Sequence, residues 1–177
     1  MADKKSLADA FFSVVNSRRS VRKFTSEPVP REVLEKIVAA GVEAPSGGNA
    51  QLRQYVIVDG SAAMDKLRAA TPALKTAPAA IVILMDPSPT RWGEFWVQDA
   101  SAAMENMLLA AVALGYASVW VEGAVRRCEE DLRKLLGVPA NLRVWSLLPV
   151  GKPAETPARP PKPQAADVTH YNRFGGK

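Results

Sequence analysis

Ala79-Ala80-Ile81-Val82-Ile83-Leu84-Met85 is a run of seven residues without one polar side chain. Aliphatic and β-branched residues in unbroken succession, with none of the alternation of a half-wet strand, predict a strand buried on both faces. Such a strand needs a covering layer on each side. After it, Asp86 to Gly93 reads as a Pro-containing loop, and a long helix follows from about Glu94 to Leu114, with Met104, Met107, Leu108 and many alanines, closed by Gly115. This helix is apolar on more than one face, which predicts burial against the sheet and against a second subunit or a deep monomer core. Before the run, Tyr55 to Val58 reads as a strand and Ser61 as the cap of a short helix through about Arg68.

Further out, Leu7 to Ser17 has helical spacing, with Leu7, Phe11, Val14 and Val15 on one face. Pro30 stands at a first-turn position, Val33, Leu34, Ile37 and Val38 recur at three and four, and Gly41 supplies a stop. Ala44 to Gln51 is a loop by composition. Ala117 to Val121 reads as a strand, Arg127 to Leu136 as an amphipathic helix closed by Gly137, and Arg143 to Val150 as a last strand. The alternation predicts one layered α/β or α+β domain without internal repeats.

With 177 residues, 47% of them hydrophobic and 23% charged, the chain suits one globular domain with a sizeable core. Several of the fourteen prolines fall between Pro149 and Pro163, which predicts an extended arm. The net charge of +5 invites a nucleic-acid reading. The basic residues are scattered and interleaved with acids, however, so a small anionic ligand accounts for the excess equally well. The single cysteine, Cys128, excludes an internal disulfide, and its acidic neighbours Glu129, Glu130 and Asp131 argue against a nucleophilic thiolate. The single histidine, His170, lies in the arm, where no metal cluster or hydrolytic triad can be assembled around it. No apolar run reaches the roughly 20 residues of a membrane span, and no secretory signal is apparent, so the expectation is a cytoplasmic protein that binds neither membrane nor nucleic acid.

The chemistry is concentrated in four segments. Arg18-Arg19-Ser20-Val21-Arg22-Lys23-Phe24 sets guanidinium forks and a hydroxyl close together, a donor set suited to a phosphate monoester. Pro45 to Gln51 is a Gly-rich loop, Gly115 to Gly123 ends in Trp120-Val121-Glu122-Gly123, and Leu148 to Glu155 is followed by Arg159 and Lys162. In this order and spacing they resemble the FMN-dependent nitroreductase family over nearly the whole chain.

The resemblance implies an α+β three-layer sandwich, a central and mainly antiparallel sheet flanked by helices. It also implies an intertwined homodimer with FMN at the subunit interface and residues from about 152 to 177 wrapping the partner. Arg18, Arg19 and Ser20 match the residues that hold the FMN phosphate and ribityl chain, and Arg22 the cation at the flavin pyrimidine edge. Arg159, or else Lys162, matches a late cation closing over the phosphate. Pro45, Ser46, Gly47, Asn49 and Gln51 match a loop reaching the flavin from the other subunit, and Val121, Glu122 and Gly123 the strand end beside flavin N5. Where family members commonly follow the loop glutamine with Pro-Trp, this chain has Leu52-Arg53. A large inserted lid is missing, and Trp92, Phe95 and Trp96 are candidates for an aromatic wall over the flavin. The implied activity is NADH- or NADPH-dependent, ping-pong reduction of a planar electrophile such as a nitroaromatic, a quinone or free flavin. A dehydrogenase or flavin-modifying enzyme of biosynthesis, and a non-catalytic FMN-binding module, are the alternatives.

Overall fold

The computed structural model describes the chain except residues 1–3, 92 and 177. Four strands form one antiparallel sheet: β1 (Arg53–Val58), β2 (Ala79–Met85), β3 (Ala117–Ser118) and β4 (Arg143–Gly151), in the order β1-β2-β4-β3. Every residue of β2 is buried, because it lies between two strands in the plane and between two helical layers above and below. Its side chains alternate between those layers as a pleated strand requires. Ala80, Val82 and Leu84 meet Met64 and Leu67 of α3 (Ser61–Ala70) and Val125 and Leu132 of α5 (Val125–Leu136). Ala79, Ile81, Ile83 and Met85 meet Leu34 and Ile37 of α2 (Arg31–Val42) and Met104 and Met107 of α4 (Trp96–Ala113). Each Val, Leu, Ile or Met side chain among them contributes about 1.5–3 kcal/mol on leaving water. The result is the α+β sandwich of three layers.

The register of β2 on β4 shifts between Ile83, opposite Ser146, and Leu84, opposite Val144. Trp145 is therefore the extra residue of a bulge, the device that kinks a strand and re-aims a side chain. Among the described residues the other α-helices are α1 (Lys4–Ser17), which packs on α4, and the single turn α6 (Ala165–Val168).

Three local expectations change. Gly41 lies inside α2 and is buried, and a Cβ there would sit 2.7 Å from Met107 Sδ, so it serves close packing of α2 on α4 rather than helix termination. Ser61 is the first residue of α3, behind Gly60 as N-cap, and no side chain caps that helix. The strand expected from Ala117 to Val121 is regular only over Ala117–Ser118, with Val121 rejoining the sheet through a separate bridge to Leu147. By contrast Gly137 ends α5 at φ 64°, the left-handed conformation for which glycine is suited.

Candidate functional site

Beyond Ser17 the chain runs extended along the edge of the sheet. Ser20 bridges Ser118 in parallel, and the Val21 amide donates to the Ser118 carbonyl at 3.0 Å. Val21 and Phe24 are buried anchors, while Arg22 and Lys23 between them are exposed. The far end of the chain is stitched to the same run. Thr25 donates to the Lys152 carbonyl, Ala154 donates to that of Lys23, and Lys23 pairs with Glu155 at 2.8 Å. These contacts fix the start of the arm against the start of the domain.

Between them lies a cavity of about 520 Å³ lined by Arg18, Arg19, Ser20, Arg22, Arg159 and Lys162, with Glu105 of α4 on its wall. Arg18 Nε is 3.8 Å from Glu105 Oε1. Arg19 Nη1 donates to the carbonyls of Asn16 and Arg18, each at 2.7 Å, which holds its guanidinium at the mouth of α1. Five cationic side chains thus face one carboxylate. Such a donor set suits a dianion that can accept several charge-assisted bonds at once, and the phosphate of FMN fits it.

The segment toward Gly123 rises from the same edge. Val121 exchanges both backbone bonds with Leu147, at 3.0 and 2.9 Å. The Glu122 carboxylate is taken by Arg126, the second residue of α5, whose amide also occupies the Glu122 carbonyl, so what that strand end has to offer is backbone N–H at residues 122 and 123. Gly123 is exposed, with open space where a Cβ would stand. Trp120 stacks edge-on against Trp145 with ring centroids 5.3 Å apart, and both indole Nε1 atoms are buried without a hydrogen-bond partner among the described residues.

The loop of residues 44–51 does not line the cationic cavity. Its 3-10 turn, Gly47–Asn49, carries positive φ at Gly48 (58°) and Asn49 (56°), followed by Gln51 (53°), and these three residues are exposed. The Gly47 amide donates to Asp99 Oδ1 at 2.8 Å, and a Cβ at Gly47 would lie 2.7 Å from the Phe95 ring. Gln51 donates from its backbone to Ser46 Oγ and from its side chain to Asn49 Oδ1. Arg53 reaches back to the carbonyls of Ala44, Pro45 and Asp99. Of the three expected wall aromatics, Phe95 supports this loop and Trp96 lines a separate cavity of about 440 Å³ with Arg126, Arg143 and Trp145. Trp92 lies outside the described residues.

Asp99, Glu105 and Trp145 were absent from the residues singled out in sequence. Nothing in the chain order marks them, since each enters through a partner distant in sequence. The thiol of Cys128 is pushed up by burial, with Asp131 adding to the shift, which disfavours a thiolate. Among the described residues there is no group of three or more His, Cys, Asp or Glu able to hold a metal ion, and no helix long and apolar enough to cross a membrane.

The fold is an antiparallel α+β sandwich with a cleft lined by cations from its first and last described segments, a donor set suited to a phosphate-bearing ligand. The family pattern described as the Nitroreductase family matches residues 15–72 and 66–152, and the chain belongs to that family. It is 39% identical over 148 residues, 80% of this chain and 84% of the relative, to a protein of Archaeoglobus fulgidus with the provisional name NADH dehydrogenase/NAD(P)H nitroreductase. It is 28% identical to the NADPH-flavin oxidoreductase of Vibrio harveyi, covering 89% of this chain and 72% of that one. Among solved structures, a provisionally named nitroreductase of Desulfovibrio desulfuricans in complex with FMN superposes with a TM-score of 0.78 at 28% identity, covering 93% of this chain and 97% of that one.

Proposed function

We propose that this chain is an FMN-dependent oxidoreductase that draws on NADH or NADPH and acts as a homodimer in the cytoplasm. The observation that carries the reading is the shared cavity in which Arg18, Arg19, Ser20 and Arg22 face Arg159 and Lys162. Family membership and the names of its relatives supply the direction of the chemistry. Bound FMN would supply reversible two-electron transfer from a nicotinamide to a flat electrophile such as a nitroaromatic, a quinone or free flavin.

The residues of the chain do the holding and tuning. Arg18, Arg19, Ser20, Arg159 and Lys162 bind the phosphate, and the arm closes the cleft. Arg22 sets a fixed guanidinium at the pyrimidine edge, where reduction accumulates negative charge, and so favours the reduced state. Glu122 and Gly123 offer backbone to N5, Val121 anchors them at the cofactor through its paired bonds to Leu147, and the Arg126 pair keeps the Glu122 carboxylate turned to α5. Pro45, Ser46, Gly47, Asn49 and Gln51 serve the site of the other subunit. A second copy would also cover the exposed apolar side chains Leu7, Phe11, Phe12 and Val15 of α1, and Val168, Tyr171 and Phe174 of the arm. The arm over residues 153–175 is exposed throughout within one chain.

Denaturing the purified protein and examining the supernatant tests the reading directly. Released FMN, together with steady NAD(P)H oxidation on adding a quinone, is expected. A colourless protein that takes up no FMN from solution would overturn it, and released FMN with no turnover of either nicotinamide would leave only a binding module.

A further inference from the structure

We propose that Arg53 is a positioning residue that fixes the loop of residues 44–51 for its task at the cofactor site, in concert with Asp99. Arg53 opens β1, and its guanidinium spans three carbonyls from two elements: Nη2 to Ala44 O at 2.7 Å, Nη1 to Pro45 O at 3.1 Å and to Asp99 O at 3.2 Å. A planar fork of fixed donors is suited to bridging several oxygens at once, whereas an ammonium is a point charge on a flexible stem. Asp99, only 5% exposed, completes the clamp by accepting the Gly47 amide. Its carboxylate lies in the first turn of α4, where unpaired amides favour negative charge.

The base of the loop is therefore tied to β1 by Arg53, to α4 by Asp99, and rests on Phe95 through Gly47. Its tip is different. Asn49 and Gln51 hold left-handed backbone, which asparagine tolerates and glutamine avoids, and both are exposed. Conformations of that kind persist only where the surroundings over-determine them. Bonds from the Asn49 amide to the Ser46 carbonyl and from the Gln51 amide to Ser46 Oγ set the tip, and the clamp holds the base on which those bonds close.

The inference rests on the FMN reading above, so the test begins with the FMN content of wild type. Hydrogen exchange at the Gly47 and Asn49 amides of the apoprotein is then measured beside FMN affinity, by quenching of flavin fluorescence, for wild type, Arg53→Ala and Arg53→Lys. Loss of the fork should raise exchange at Gly47 on the order of 10-fold and weaken FMN binding on the order of 10-fold, equivalent to about 1.4 kcal/mol, with Arg53→Lys between. If Arg53→Ala fails to fold, Arg53→Lys, which keeps the charge and the stem, carries the comparison. With a flavin-loaded wild type, unchanged exchange in the variants overturns the clamp, and raised exchange with wild-type FMN affinity overturns its link to the cofactor; the FMN reading stands in either case. A wild type without FMN overturns both.

Discussion

Arg18 and Gly151 show two ways in which one residue can matter to this molecule. Arg18 is tethered on one side by Glu105 and open to the cavity on the other, so replacing it with alanine would remove the charge-assisted bonds proposed to the FMN phosphate without disturbing the core. Such bonds contribute about 1.5–3 kcal/mol, and FMN affinity in Arg18→Ala is expected to fall roughly 10- to 150-fold, read by fluorescence titration. Gly151 acts through space. A Cβ there would lie 2.8 Å from Pro78 Cδ and 3.1 Å from Phe24 Cβ, one a ring atom and the other next to backbone, and neither can swing away. Gly151→Ala should cost about 1–3 kcal/mol by overpacking, seen as a lower denaturant midpoint with an unchanged slope. The cationic run was legible in sequence because its members are neighbours and their chemistry is carried by residue type. Arg53 and Asp99 were not, because a guanidinium meeting a carbonyl 46 positions away leaves no local pattern.

At the scale of elements, α5 is held to β4 by a two-pronged pair: Arg143 Nε and Nη2 donate to the two Glu129 oxygens at 2.6 and 2.7 Å. The Arg143 hydrogen bonds hold the Glu129 carboxyl below the usual carboxylate range, outweighing the desolvation that opposes them. The folded value lies under the unfolded one of about 4.3. The stabilisation is thus complete above pH ~4.3 and is lost as pH falls through the folded value. Glu129→Gln should melt below wild type at pH 7, by no more than about 2–4 °C for a partly exposed pair worth up to ~1 kcal/mol. The two melting temperatures should converge in acid, and a gap that persists there would mean packing, not charge, holds α5. Helix and strand identities followed from periodicity, but several ends did not. Gly41 resembled a terminator and proved a contact surface, because a missing side chain serves a close approach as well as a left-handed turn, and only the position of Met107 distinguishes the two.

For the whole molecule, the exposed apolar faces of α1 and the arm argue for a second copy. Phe11 and Phe12 stand 55% and 60% exposed on the same helix, more aromatic surface than a solitary domain gains from leaving wet. In sedimentation, wild type is expected to run as a dimer. Phe11→Asp/Phe12→Asp should run as a monomer with its helical spectrum intact and its FMN lost, since half of each proposed site would be missing; a dimeric, flavin-loaded double variant would count against the shared site. What chain order settled here was local: a strand with no polar face, helices with apolar stripes, and arginines grouped beside a serine. Hydrophobic periodicity and charge are properties of neighbours, so they can be read along a line. What waited for three dimensions was the bulge at Trp145 and the grip of Arg53 and Asp99 on the loop, while the meeting of Arg18 with Arg159 was implied beforehand by the family resemblance and not by any local pattern. Those depend on how β3 and β4 pair and on where α4 crosses the sheet, and such long-range geometry arises only when the whole chain closes around one core.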